Sequence, residues 1–155
     1  MESLARFLAA FALTAWCAVS VNAAERSWFT IVGDPDQADA DTIQVDVASI
    51  LGNDADRTAV IRVSRASLRI SPWAELQFRS FAALVHFDCV SRTARYREVT
   101  YWSQPIWRGQ PLRSMEFGPQ TQAVMRFRGV EPNPAERIIR AACESQGISS
   151  TQPRR

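Results

Sequence analysis

Residues 78–89 read F-R-S-F-A-A-L-V-H-F-D-C and form the longest strand pattern in the chain. Successive side chains of a strand point to opposite faces. One face of this stretch would carry Phe81, Ala83, Val85, Phe87 and Cys89, and the other Leu84, His86 and Asp88. The stretch therefore predicts a strand with one buried face.

Five further segments have the composition of strands, and no helical pattern separates them. They lie at residues 27–33, 42–47, 58–65, 94–103 and 111–117. Consecutive strands without crossover helices favour antiparallel pairing. We therefore predict an antiparallel sheet of about six strands, with the D-P-D-Q-A-D-A-D segment at residues 34–41 as a loop.

A short helix is predicted near the C-terminus. Asn133 is a good N-cap, Pro134 suits the first helical position, and Gly147 is a natural end. The apolar residues Ala135, Ile138, Ile139, Ala142 and Cys143 follow at helical spacing. A helix of about 13 residues is marginal in isolation, so we expect it to pack on one face of the sheet. The predicted fold class is α+β, in a single domain.

The first 23 residues have the layout of a secretory signal, with an uncharged stretch and then small residues before a cut. We predict cleavage there, a domain at residues 24–147 without a membrane span, and a flexible polar tail at residues 148–155. Lipidation at Cys17 is the alternative anchor. It is disfavoured because Trp16 stands where a small residue is expected.

Cleavage leaves two of the three cysteines, Cys89 and Cys143. Two cysteines in an exported domain favour one disulfide, which would tether the helix to the sheet. Closing a loop of about 54 residues is worth roughly 4 kcal/mol in the chain-entropy model. Two unpaired, buried thiols are the alternative.

Charge is distributed unevenly along the chain. Residues 25–56 carry eight acids and one arginine, whereas residues 57–155 carry 16 arginines and seven acids. The ordinary interpretation is that the two regions pair within one fold, since mixed surfaces are usual. The alternative is an arginine-rich face that meets acidic partners.

The sequence contains little that indicates a catalytic or metal site. His86 is the only histidine, which excludes metal sites built on several histidines, and no G-x-S-x-G motif is present. Asp88 and Glu98 would form a carboxylate pair if they faced each other across a hairpin. The aspartates of residues 34–41 offer oxygen ligands for calcium but lack a closing glutamate. We predict a protein without catalysis, cofactor or metal ion.

The arginines around the predicted hairpin form a candidate ligand-binding patch, comprising Arg92, Arg95, Arg97 and Tyr101. Strict alternation would place Arg95, Arg97 and Tyr101 on one face. Guanidinium groups pair with carboxylate or sulfate. A solvated strand face is the alternative. No recognisable nucleic-acid module is present, so no nucleic-acid partner is expected.

The chain resembles the surface-adhesin protein E domain family over residues 28–143. The resemblance rests on Trp28, the Asp46-x-x-Ser49-Ile50 segment, Asp88-Cys89, Arg95, Tyr101, Gly109, Pro132 and Cys143. It implies an antiparallel sheet with a disulfide-tethered C-terminal helix. It also implies a surface protein that binds host extracellular-matrix or serum proteins and is able to form homodimers.

The chain departs from the family pattern in two places, and the first departure leaves two hypotheses open. The chain lacks a credible lipidation site, and Met125 and Phe127 stand where the family has a tryptophan. The first hypothesis is an exported, non-enzymatic binding protein of the adhesin type. The second is a soluble periplasmic module that binds another envelope component or a small acidic ligand.

Overall fold

The computed structural model describes residues 25–121, 123–127 and 129–145. The predicted signal at residues 1–23 and the predicted tail at residues 148–155 lie outside the described residues, as does Gly147. The strands are β1 (Trp28–Val32), β2 (Thr42–Gly52), β3 (Asp56–Ile70), β4 (Gln77–Asp88), β5 (Thr93–Trp102) and β6 (Pro111–Glu116), followed by the helix α1 (Ala135–Glu144).

The six strands form one antiparallel sheet in which each strand pairs with its neighbour in sequence. The predicted α+β fold is confirmed. The strand order follows from the short connections, because a hairpin places consecutive strands side by side. The residues from Asp34 to Asp41 form a loop, as predicted.

One face of the sheet, here called the core face, carries the main apolar cluster. The predicted alternation in β4 is confirmed, with Phe81, Ala83, Val85 and Phe87 buried on this face. Ile43, Val45, Ile61 and Val63 continue the same cluster across β2 and β3. The opposite face, here called the outer face, carries Gln44, Arg62, Leu84 and His86.

Helix α1 packs on the core face against β2, β3 and β4. Ile138 and Ala142 are fully buried, and Ile139 is nearly so. The helix begins one residue later than predicted, at Ala135, with Pro134 rather than Asn133 at the N-cap position. The Asn133 side chain still accepts a hydrogen bond of 3.0 Å from the Ala135 N–H. Helix and sheet therefore share one core.

The predicted disulfide joins Cys89, just after β4, to Cys143 on α1, with a Cα–Cα distance of 5.6 Å. The bond spans 54 positions of sequence. It fixes the C-terminal part of the helix to the end of the longest predicted strand. Sheet and helix are thus joined covalently as well as by packing.

The segment at residues 123–127 lies beside β5 without forming a named strand. Tyr96 donates its N–H to the Ala123 carbonyl at 2.8 Å, and Met125 donates to the Ala94 carbonyl at 2.9 Å. Strand β6 pairs only with the second half of β5. The edge of β5 is therefore covered by β6 at one end and by this segment at the other.

All five strand pairs of the sheet contain a register shift, which alternation does not predict. The register between β4 and β5 shifts next to Arg97, and that between β2 and β3 shifts after Asp46. Strict alternation from Val45 would place Val47 on the buried face, but Val47 is exposed. An extra residue in a strand reverses the facing of everything that follows it.

Candidate functional site

The outer face of the sheet is partly covered by the short turn Pro105–Trp107. Three hydrogen bonds hold this turn. The Ile106 N–H donates to Ser64 Oγ at 3.0 Å, and the Trp107 N–H donates to Ser80 Oγ at 3.1 Å. The Trp107 indole N–H donates to the Phe81 carbonyl at 2.9 Å. The sheet therefore fixes the position of this indole.

The backbone of the turn is strained. Ile106 and Trp107 both have a φ of 54°, in the left-handed region that costs a non-glycine residue on the order of 1–3 kcal/mol. Such conformations persist where surrounding contacts impose them, and they cluster at functional sites. The outer face around Trp107 is therefore a candidate functional site.

Arg62 of β3 lies between two indoles on this face. Its guanidinium carbon is 4.0 Å from the centroid of Trp28 and 4.2 Å from that of Trp107. Arg62 Nε donates to Gln44 Oε1 at 2.6 Å. Burial, and secondarily the charge of Arg26, lowers the pKa of Arg62, although an arginine stays protonated at physiological pH. We call Trp28, Arg62 and Trp107 the tryptophan–arginine stack.

A small cleft lies further along the same face. His86, Asp88, Thr93, Arg95 and Arg97 line it, and its volume is about 120 Å³. We call this the outer cleft. Pockets for drug-sized ligands usually measure about 300–1,000 Å³. The outer cleft has room for a single anionic group rather than for a whole small molecule.

The charges in the outer cleft are unevenly compensated. His86 Nε2 lies 3.1 Å from Asp56 Oδ1. Hydrogen bonds from Ser91 lower the pKa of Asp88, and the Ser91 N–H lies 2.8 Å from its carboxylate. Within the described residues, neither Arg95 nor Arg97 has a carboxylate at ion-pair distance. Both arginines are half-buried and available for an external anion.

An acidic pair lies next to the outer cleft. Glu98 of β5 is directly opposite Glu116 of β6, and both side chains are exposed. Like charges in opposite positions repel each other, so this pair also favours an external partner. The outer face consequently presents a cationic cleft beside an anionic pair.

The predicted patch is split between two faces and the hairpin tip. Tyr101 was expected to share a face with Arg95 and Arg97, and that expectation is wrong. The bulge at Arg97 turns Val99 and Tyr101 to the core face, where Tyr101 is 2% exposed. Its hydroxyl forms a 3.0 Å hydrogen bond with Ser71 Oγ.

Arg92 lies in the connection between β4 and β5. Its guanidinium is 3.4 Å from Glu144 Oε1 on α1. It therefore contacts the end of the helix and does not line the outer cleft. Of the four candidates, the structure brings together only Arg95 and Arg97.

The proposed carboxylate pair of Asp88 and Glu98 does not form. Asp88 is opposite Thr93, whereas Glu98 is opposite Leu84. Four residues of strand separate the two positions on β4, a distance of about 13 Å at roughly 3.3 Å per residue. Retaining glycosidases place their carboxyl groups about 5 Å apart and inverting enzymes within about 9.5 Å. This pair fits neither arrangement.

The aspartates of residues 34–41 mainly stabilise their own loop and its contact with β3. Asp34 accepts hydrogen bonds from the Asp36 N–H and the Gln37 amide. Asp41 lies 3.4 Å from Arg65 Nε and accepts the Ala66 N–H at 2.8 Å. Among the described residues, no group of three or more His, Cys, Asp or Glu is placed to hold a metal ion.

Alternation did not reveal the tryptophan–arginine stack. Trp28 and Arg62 lie on strands predicted from the sequence, but Trp107 lies in a turn that no strand or helix pattern predicts. The available signal was compositional. Trp107 follows Pro105 in the connection after the predicted strand at residues 94–103, which indicates a loop with an aromatic residue beside the sheet.

Comparison with known proteins assigns the family. The model of the surface-adhesin protein E family matches residues 28–144, so the chain belongs to this family. No match was found among curated proteins or among solved structures. Membership suggests a surface or exported protein that binds a protein partner and has a non-enzymatic role. In the described part of the chain, no helix is long and apolar enough to cross a membrane.

Proposed function

We propose that this protein is an exported, non-enzymatic adhesin that binds a host extracellular-matrix or serum protein through the outer face of its sheet. The observation that carries this proposal is the pair Arg95 and Arg97, half-buried in the outer cleft without a carboxylate at ion-pair distance among the described residues. A partner's Asp, Glu or sulfate would supply the missing anion.

The remainder of the outer face fits a macromolecular partner better than a small one. The outer cleft has room for one anionic group, and the acidic pair of Glu98 and Glu116 lies beside it. Tryptophan and arginine are the residue types most enriched at binding hot spots. The tryptophan–arginine stack and Leu84, which is 37% exposed, extend the surface beyond the cleft.

Binding to immobilised laminin, fibronectin, collagen and whole serum tests this proposal. The variant with Arg95→Gln and Arg97→Gln should lose affinity about tenfold or more, since charge-assisted hydrogen bonds contribute about 1.5–3 kcal/mol each. The control carries Arg137→Gln and Arg140→Gln on the exposed side of α1. It changes the net charge equally on the opposite side of the sheet.

Equal losses in the two variants would indicate a nonspecific charge effect and would contradict the proposal. So would the absence of any saturable binding by the unaltered protein. A circular-dichroism melt of each variant separates loss of binding from loss of folding.

The second candidate function is a soluble periplasmic module that binds another envelope component or a small acidic ligand. Trp16, which precedes Cys17 in place of a small residue, favours it because lipidation is then unsupported. The small volume of the outer cleft limits an acidic ligand bound there to a single anionic group. Retention of the protein in the periplasm would favour this alternative.

Homodimer formation stays a prediction. The edge strands of the sheet are β1 and β6. Each carries an exposed apolar side chain, since Phe29 of β1 is 56% exposed and Leu112 of β6 is 49% exposed. Unpaired strand edges are common sites of association. Light scattering across a concentration series should show a dimer. A monomer at every concentration would remove dimerisation from the account.

A further inference from the structure

The core face of the sheet contains a cavity that the proposed adhesin function does not use. It has a volume of about 820 Å³ and lies between the second half of β3, the start of β4, β5 and the 123–127 segment. This volume falls in the range of about 300–1,000 Å³ that is usual for small-molecule sites. The sheet separates it from the outer cleft.

The floor of the cavity is aromatic. Phe78, Phe81 and Tyr101 form a cluster in which the ring centroids are 5.0 to 6.1 Å apart. The Tyr101 hydroxyl is already bonded to Ser71 Oγ, so the tyrosine presents its ring to the cavity and needs no polar group from a ligand. The floor therefore favours an apolar occupant.

The mouth of the cavity is also apolar. Leu68 and Ile70 line the cavity and are 53% and 70% exposed. Both belong to the end of β3, where the regular register with β4 is interrupted after Ser64. Adjacent exposed aliphatic side chains at the entrance of an apolar cavity are typical of a ligand-binding site.

Cationic groups accompany this apolar surface. Arg65, Arg69 and Arg126 all line the cavity. Arg65 is paired with Asp41. Within the described residues, Arg69 Nε is buried without a hydrogen-bond partner, and Arg126 is exposed without a carboxylate at ion-pair distance. An occupant with an anionic end would pair with the Arg126 guanidinium and lie near the positive charge of Arg69.

We propose that this cavity binds a single-chain amphiphile with an anionic head group, of the fatty-acid or lysophosphatidate class. The acyl chain lies on the aromatic floor and contacts Leu68 and Ile70. The carboxylate or phosphate pairs with Arg69 and Arg126, since guanidinium matches both groups. A neutral apolar ligand would leave the cationic groups uncompensated, and a short anion would leave the floor exposed to water.

Displacement of cis-parinaric acid, a fluorescent polyene fatty acid, tests the proposal on the full chain. Trp73 lines the cavity, so energy transfer from tryptophan should report occupancy. The inhibition constant of palmitate should be at least about tenfold lower than that of hexadecanol, which has the same chain without the charge. Acetate should not displace the probe. Lysophosphatidate is the parallel arm that distinguishes a phosphate head group from a carboxylate.

Variants separate head-group binding from chain binding. Arg126→Gln changes an exposed side chain, so the variant should fold normally. Its affinity for palmitate should fall about tenfold, while its affinity for hexadecanol should stay unchanged. Adding Arg69→Gln should lower the affinity for palmitate further. The Arg95→Gln and Arg97→Gln variant of the outer cleft is the matched control and should bind palmitate normally.

Three results would overturn the proposal: no saturable binding of the probe, equal affinity for palmitate and hexadecanol, or equal weakening by the cavity variant and the outer-cleft control. None of them bears on the adhesin proposal, because that proposal depends on the opposite face of the sheet. Loss of host-protein binding in the outer-cleft variant with normal palmitate binding would support both.

Discussion

Arg57 of β3 donates a hydrogen bond of 3.0 Å to the carbonyl oxygen of Ala142 on α1. The same guanidinium group also donates to the Ser145 carbonyl. The last carbonyls of a helix have no partners within the helix and carry a partial negative charge. A buried arginine of the sheet thus caps the helix end that the disulfide also holds.

Replacing this arginine should destabilise the fold. Arg57→Met keeps the aliphatic bulk but leaves the helix carbonyls without their donor, and we expect the free energy of unfolding to fall by about 2–3 kcal/mol. Urea denaturation measures the change. Arg140→Met on the exposed side of α1 is the control and should stay within about 0.5 kcal/mol of the unaltered protein. Equal effects of the two changes would contradict the capping role.

The disulfide should be the main covalent contribution to stability. Mass spectrometry of the unreduced, digested protein should find the peptides of Cys89 and Cys143 joined. Replacing both cysteines by serine should lower the free energy of unfolding by about 4 kcal/mol, because the loop of 54 positions is no longer closed in the unfolded chain. A loss below about 1 kcal/mol would show that the tether contributes little.

Docking of the helix depends on its buried side. Ile138 is 0% exposed, and Ile138→Ala should lower the free energy of unfolding by about 2–5 kcal/mol through lost burial and the cavity it leaves. Arg137→Ala, next to it on the exposed side, should change stability by less than about 0.5 kcal/mol. If both variants had the same denaturation midpoint, the helix would not pack as described.

The two tyrosines of the chain should lose their phenolic protons at an unusually high pH. Burial raises the pKa of Tyr96 and of Tyr101 above the ordinary value of about 10. Tyrosinate absorbance should therefore appear at a higher pH in the folded protein than in the protein unfolded by urea. Coincident titration curves would show that neither ring is desolvated.

The raised pKa values also determine how the stability of the fold changes with pH. Since folding raises both pKa values, the protonated phenols stabilise the folded state fully below about pH 10, and this contribution declines as the pH rises further. The denaturation midpoint should fall with pH in that alkaline range. A midpoint that stays constant there would contradict the direction of the shift.

The sequence predicted the sheet well because burial on one face imposes a period of two. The pattern of Phe81, Ala83, Val85 and Phe87 needs no knowledge of the rest of the chain. Helix α1 was equally predictable, since its apolar stripe is a local feature, although the helix begins one residue later than its capping pattern predicts. The pairing of Cys89 with Cys143 followed from the small number of cysteines.

The binding surfaces were less predictable because they depend on irregularities. The bulge at Arg97 adds one residue to β5, and this places Tyr101 on the face opposite to the one that strict alternation assigns. The tryptophan–arginine stack needs the strained turn at Trp107. The cavity needs the 123–127 segment beside β5, which has no strand pattern. Each of these features is set by tertiary contacts rather than by local periodicity.

Digestion of the protein on intact cells is the most direct test of the central claim that it is a surface adhesin. Trypsin should reach Arg92 at the hairpin tip and Arg108 after the strained turn, since both side chains are exposed. Lysed cells and a periplasmic marker protein are the controls. The account predicts cleavage before lysis, with the marker intact. Protection of the protein until lysis, together with the marker, would contradict surface display and favour the periplasmic alternative.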